Sequence, residues 1–394
     1  MLKSLKKLKV TSNHKILLVA LGVIILILAF SYFHLGKKIE GMEGAAEIEL
    51  EQITTSGPSY VDSVNFSNDG TLLAYGSVSD YKAYIINSED GSTMKSFKHD
   101  GPVRDVLITP NKKYFIVYGN NKLNILDLNT GGKLISKHST TITCMAVDPS
   151  SSYLVVGTGH GKVICYDLNK SLNDGSLKEI WSRTYGKYRN DKYIDSLAIT
   201  DDSDSVIVCS KDKHMRVLNL TSGNLKCQYK LWGRVTTVGI NPIRDNDGNI
   251  IFAIAVQQKW AKRNNLILYK LDVNTNKCQR LKTITHKTYR HMTGIKFLNN
   301  KYLVTGGYDS NLSFYNISTG KIVKNVKMGS DNWILSLDLS IDNKLALGHY
   351  KTKLGLYNIT LASDFESGSR SGLGSGRGSG GGSPDNLYEI TQPE

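Results

Sequence analysis

The stretch Phe97–Asn111, FKHDGPVRDVLITPN, decides the fold once it is set beside its counterparts. It holds a histidine, a Gly-Pro turn, a run of alternating apolar and polar residues, and a Pro-Asn turn. Taken alone, His99 near Asp100 and Asp105 has the makings of a base with carboxylate neighbours. KHSTTITCMAVDPS and THKTYRHMTGIKFL repeat the same order of histidine, turn and strand. His99 therefore reads as the turn residue that introduces one unit of a repeat.

The repeat runs through the rest of the chain. VNFS at 64, VLIT at 106, MAVD at 145, LAIT at 197, VGIN at 238, IKFL at 295 and LDLS at 337 are separated by 42, 39, 52, 41, 57 and 42 residues. Each is followed by a polar turn (SNDG, TPNK, DPSS, TDDS), a second apolar run (LLAYG, YFIVYG, YLVVG) and a third (AYIIN, LNILD, VICYD). Asn/Asp/Gly turns such as LNTGG and LTSGN then lead to a fourth. Short strands at a period of about 40–45 residues make propeller blades. No long 3.6-residue periodicity appears after residue 45. The expectation is an all-β, seven-bladed β-propeller over residues 47–360, with loop insertions at the two long intervals. The last unit ends at LGLYNIT without a fourth strand, while EIELEQIT, Glu47–Thr54, precedes the first unit unassigned. That segment is expected to supply the missing strand and close the ring, which hides the sheet edges.

These units resemble the WD-repeat family over roughly residues 47–360. ILD at 125–127 and CYD at 165–167 stand where that family carries Trp-Asp, and His99, His138 and His286 stand where its Gly-His places the histidine. No blade keeps Trp-Asp, and Lys98, Lys137 and Thr285 replace the glycine. The resemblance implies protein binding through the faces of the ring, commonly within an assembly. The TG-containing turns also occur in quinoprotein-like propellers, which keeps that family as an alternative.

The first forty residues differ in kind. MLKSLKKLKVTSNHK, residues 1–15, precedes twenty uncharged positions, Ile16–Leu35. Twenty residues at helical rise span about 30 Å, the thickness of a bilayer core. Five lysines before this segment against Lys37 and Lys38 after it favour a cytoplasmic N-terminus and an extracytoplasmic or lumenal propeller. A signal peptide cleaved near Ser31 is the competing reading. Residues 36–46 form a linker. Residues 361–394 read as a flexible Gly/Ser-rich tail that ends in PDNLYEITQPE.

Of the net charge of +14, residues 1–38 carry +7, residues 39–360 carry +10 and residues 361–394 carry −3. The basic middle suits an acidic partner or simply a soluble surface. Five cysteines without close CxxC spacing give no zinc or thioredoxin-type signature and read as small core hydrophobes. Motifs of the HExxH, GxSxG, P-loop and EF-hand types are absent. No catalytic residue, metal or cofactor is expected, and the chain does not read as an enzyme. DDSDS at 201–205 occupies a repeat turn, and Asp127, Asp167, Asn219, Asn316 and Asn358 recur at the repeat period, as turn residues do. Glycosylation sequons begin at Asn65, Asn219, Asn311, Asn316 and Asn358.

In a propeller, the loops that enter each blade and those joining its second and third strands open on one face. RTYGKYRNDKY (183–193), KDKH (211–214), QKWAKRN (258–264), THKTYRH (285–291) and YKTK (350–353) fall there. The candidate partner-binding residues are Tyr185, Lys187, Tyr188, Arg189, Lys213, His214, Lys259, Trp260, Lys262, Arg263, Lys287, Tyr289, Arg290, Tyr350 and Lys351. Lys and Arg among Tyr, Trp and His suit a protein partner, acidic or phosphorylated, or an anionic headgroup; nucleic acid is disfavoured for an extracytoplasmic domain. The expected function is a single-pass, membrane-anchored propeller scaffold for protein–protein interactions within an assembly. The alternatives are a membrane-tethered guanine-nucleotide exchange factor-like regulator of early secretory trafficking, an extracytoplasmic quinoprotein-like enzyme, and a secreted propeller.

Overall fold

A computed structural model describes residues 48–139, 141–188, 191–258, 263–286 and 290–361, with the backbone alone at Ser56 and Arg263. The segments expected as basic arm, membrane helix and linker, and the tail beyond Leu361, lie outside the described residues. Among the described residues no helix is long and apolar enough to cross a membrane.

The chain builds seven four-stranded antiparallel sheets. A first strand, β1 (Ile48–Ser56), precedes blade 1, which holds β2 (Val61–Phe66), β3 (Leu72–Ser77), β4 (Lys82–Asn87) and β5 (Thr93–Lys98). Blade 2 holds β6 (Val103–Ile108), β7 (Tyr114–Gly119), β8 (Lys122–Asp127) and β9 (Lys133–His138). Blade 3 holds β10 (Ile142–Val147), β11 (Tyr153–Thr158), β12 (Lys162–Asp167) and, after the short helix α1 (Leu168–Asn173), β13 (Lys178–Thr184). Blade 4 holds β14 (Ile194–Ile199), β15 (Ser205–Ser210), β16 (His214–Asn219) and β17 (Leu225–Lys230). Blade 5 holds β18 (Arg234–Ile240), β19 (Ile250–Gln258), β20 (Arg263–Leu271) and β21 (Cys278–His286). Blade 6 holds β22 (Met292–Phe297), β23 (Tyr302–Gly307), β24 (Asn311–Asn316) and β25 (Ile322–Lys327). Blade 7 holds β26 (Ile334–Leu339), β27 (Lys344–His349) and β28 (Leu354–Leu361), and β1 is its outermost strand. The inner strands β2, β6, β10, β14, β18, β22 and β26 each touch the next, and β26 returns to β2, which closes the ring. The longest repeat interval comes from blade 5, whose last three strands are each nine residues, as well as from its loop.

Burial explains the sequence pattern. The second strand of each blade is covered on both faces by its neighbours, so β15, β23 and β27 are buried at every position. Such strands read as continuous apolar runs. The outer strands alternate, as β5 does, because one face meets water.

Closure at blades 7 and 1 is the costliest joint, because it must bring together segments some 300 residues apart. The segment expected to complete the last blade is β1, paired antiparallel with β28 from Ile48↔Leu361 to Ser56↔Leu354. Ile48 and Leu50 enter the core cluster of Ile334, Leu345, Leu347 and Tyr357. Nearer the axis, side chains of blade 7 take the buried amides of blade 1. Phe66 N–H donates to Asp338 Oδ2 at 2.8 Å, and Val64 N–H donates to Ser336 Oγ at 3.2 Å. Lys296 balances the Asp338 charge at 2.6 Å.

The recurrent Asp and Asn residues act in turns. Asp127, Asn219, Asp272 and Asn316 each accept, through Oδ1, the N–H three residues on, at 2.7–2.9 Å. Asp167 caps α1. Asn358, grouped with them by period, lies instead inside β28 opposite Glu51. The carboxylates of DDSDS are taken up by cations: Asp201 and Asp202 by Arg244, and Asp204 by Lys226. Several sequon side chains are already committed; Asn65 Oδ1 accepts the Ile108 N–H at 2.8 Å, and Asn316 is buried.

The three family-aligned histidines part company. His286 Nε2 lies 3.3 Å from Asp309 Oδ2 while its Nδ1 meets the Tyr315 hydroxyl, a buried polar bridge from the end of the outer strand of blade 5 to blade 6. His99 is buried and its backbone N–H donates to Tyr81 O at 2.8 Å, so it joins two loops as a turn residue does. His138 is exposed at the end of β9.

Two cysteines are not isolated core hydrophobes. Cys227 on β17 and Cys278 on β21 form a disulfide, with Cα atoms 6.1 Å apart, between the outer strands of blades 4 and 5. They are 51 residues apart, and only the lateral packing of blades brings them together. Cys144, Cys165 and Cys209 are free thiols.

His349, 3 % exposed at the end of β27, makes stability pH-dependent. Burial disfavours its imidazolium and lowers its pKa from 6.5 to about 4. A base with a depressed folded pKa contributes its stability in full above pH 6.5 and loses it as pH falls toward 4. Between pH 7 and pH 5 the wild type should lose about 2 kcal/mol through this group. Urea titrations of wild type and His349→Gln at the two pH values check this: the variant should show a loss smaller by that amount, and equal losses would remove His349 as the cause.

Candidate interaction face

Because strands alternate in direction, the loops entering the blades and those joining second to third strands lie at one end of the ring. Among the described residues, the loops at this end carry seven basic and six acidic residues. The loops at the opposite end carry seven basic and twelve acidic ones. All seven described basic residues of the first end belong to blades 4–7, whereas the described loops of blades 1–3 contribute only Asp80 and Asp100 as charged residues. The ring is thus polarised from end to end, and its basic end is further polarised into a crescent.

A ladder of rings overlaps this arc at blades 6 and 7 and continues to blade 1. His291 stacks on Tyr308 with centroids 5.5 Å apart, Tyr308 on Trp333 at 5.1 Å, and Trp333 on Tyr350 at 4.9 Å. Tyr350 then meets the edge of Tyr60 at 5.0 Å, and the Arg104 guanidinium lies over Tyr60 at 5.9 Å. Local structure dictates this row. Tyr60, His291 and Trp333 each directly precede the first residue of an inner strand, and those first residues, Val61, Met292 and Ile334, are buried. Strand alternation therefore turns the preceding ring away from the core. Tyr308 and Tyr350 directly follow second strands, and their N–H groups donate to the carbonyls of His291 (2.8 Å) and Trp333 (3.0 Å). One backbone rung per blade thus sets two rings side by side. Tyr60 is held at φ 64°, a left-handed backbone that a bulky residue adopts only under constraint.

The arginines near the mouth are already engaged. Arg104 Nη1 lies 2.9 Å from Asp62, and Arg234 Nε bonds Asp195 at 2.9 and 3.0 Å beneath the Tyr193 ring. Burial raises the Asp195 pKa to about 6 even with Arg234 beside it. Arg216 forks onto Asp212 and lies 4.2 Å over the Tyr185 ring.

Of the residues proposed from sequence, Tyr350 is a rung of the ladder. Tyr185 is half-buried as the platform under Arg216, and His214 is tied by Nδ1 to the Asp212 carbonyl at 3.0 Å. Tyr188 is 63 % exposed, with Lys187 Nζ 5.5 Å from its ring. Lys351 lies 4.0 Å from Asp331, Lys213 is exposed, and Arg290 is exposed with its carbonyl accepting from Asn264. Arg189, Lys259, Trp260, Lys262, Lys287 and Tyr289 lie outside the described residues, as does the Arg263 side chain. The sequence reading, drawn to the long loops, passed over Tyr60, His291, Tyr308 and Trp333. The available signal was an aromatic residue immediately before or after an inner or second strand, repeated in successive blades.

The comparisons agree on architecture. A family model described as the NUP159/214 beta propeller matches residues 3–195. The chain is a seven-bladed β-propeller that resembles this family over that part of its length. A WD repeat-containing protein, WDS homolog, of Arabidopsis thaliana is 31 % identical over 188 residues, covering 44 % of this chain. The match spans 33 % of the length of that relative.

Proposed function

We propose that the protein is a membrane-anchored scaffold that docks protein partners on the basic, aromatic end of its propeller. The observation that carries this reading is the overlap, at blades 6 and 7, of the ring ladder with the crescent that holds every described basic loop residue of that end. Large rigid rings and cations are the residue types that anchor interfaces. The anchor is the uncharged segment 16–35, and the lysine excess before it sets the propeller on the extracytoplasmic or lumenal side. The Cys227–Cys278 disulfide suits such an oxidising compartment. Ile48 begins β1 at the acidic end, beside Leu361, so the chain reaches the propeller opposite its docking face.

Site-specific photocrosslinking in sealed membranes tests this. A benzophenone side chain at Trp333 should yield discrete protein adducts, and one at Ile341, 80 % exposed at the opposite end, should not. Adducts from Ile341 alone, or from neither position, would overturn the docking face.

A further inference from the structure

We infer that the crescent of blades 4–7 receives an extended acidic polypeptide segment, which meets the lysines of blade 4 at one end and the edges of the ring ladder on blades 6 and 7 at the other. This inference rests on the docking-face reading and adds the chemistry of the partner.

The free charge on the crescent is lysine. Among the described residues Lys187, Lys192, Lys211, Lys213 and Lys353 make no ion pair. Of the nearby carboxylates, Asp212 is engaged by Arg216, Asp309 by His286 and Asp195 by Arg234. The guanidinium forks of Arg216 and Arg234 are thereby used up internally, and the five lysines offer compact, mobile ammonium donors that serve single carboxylates well.

The ladder argues in the same direction. From His291 to Tyr350 its rings lie 18–30° from parallel and stack on one another, so their faces are covered by neighbours. Bases intercalate against open faces, and this row offers none between its rungs. It offers ring edges instead, which carry the positive end of the aromatic quadrupole and attract carboxylates. Trp333 and Tyr308 are half-buried and Tyr350 is 36 % exposed, so the edges reach solvent. Acidic peptide is therefore favoured over nucleic acid. An extended segment, unlike a folded acidic surface, can follow a row of rungs spaced about 5 Å apart.

The test uses the full chain in detergent and a fluorescein-labelled twelve-residue peptide of alternating Glu and Ala, read by anisotropy at low salt. Binding should saturate, weaken steeply with salt, and fall about tenfold or more in the Lys187→Gln/Lys211→Gln/Lys213→Gln/Lys353→Gln variant. Trp333→Leu should weaken it several-fold with the salt dependence intact, which separates ring edges from charge. Lys112→Gln/Lys113→Gln, at the opposite end, should leave it unchanged. Wild-type affinity in the quadruple lysine variant would overturn the inference. So would tighter binding of a single-stranded oligonucleotide of equal charge. Crosslinks from Trp333 without peptide binding would leave the docking face standing and remove the acidic partner.

Discussion

Replacing Leu50 by Asp should open the ring and leave the chain insoluble or proteolysed as it is made. Leu50 is 6 % exposed within the cluster that joins β1 to blade 7. A carboxylate there has no partner, and burying it unpaired costs about 4 kcal/mol, a large fraction of a domain's whole stability. Releasing β1 instead bares the edge of β28, a template for pairing with another chain. The exposed neighbour Glu51→Lys is the control and should fold as wild type. Expression followed by limited proteolysis reads both; a protease-resistant Leu50→Asp propeller would show that closure does not depend on this strand.

The second large effect belongs to the disulfide. Cross-linking a segment of 51 residues constrains the unfolded chain by about 4 kcal/mol in the chain-entropy description, with 2–4 kcal/mol typical in practice. Cys227→Ser and Cys278→Ser should each lower stability by that amount, and the double variant by no more than either single one, because one bond is lost in all three. Alkylation of the unfolded, unreduced protein should label three cysteines, and alkylation after reduction should label all five. Five labels without reduction would show that the bond does not form in the cell. That measurement also bears on the compartment, since a cytosolic propeller would keep the pair reduced.

Much of the architecture was legible because a propeller writes itself locally. Each strand pairs with its neighbour in sequence, so period, alternation and turn chemistry appear within 45 residues of one another. The turn role of Asp127, Asn219 and Asn316 and the position of β1 were readable for that reason. Features made between blades were not. Cys227 and Cys278 meet through the packing of blade 4 on blade 5, and no motif spans that distance. The ladder draws its rungs from three blades, two of them supplying pairs whose members lie some 17 residues apart, such as His291 and Tyr308. Residue composition pointed to the long loops of blades 4–7 as the charged part of the face. Neither composition nor period could indicate that Asp212 and Asp195 were already taken, and so which cations remain free.

The antiparallel pairing of β1 with β28 has a mechanical side. Any pull on the chain ahead of Ile48, resisted by a partner seated at the opposite end of the ring, is directed along the axis of β1. The rungs from Ile48↔Leu361 to Ser56↔Leu354 are then loaded in shear and must fail together, rather than unzip one after another. The last-placed strand of the ring is thus oriented to bear tension between the tether and whatever the propeller holds.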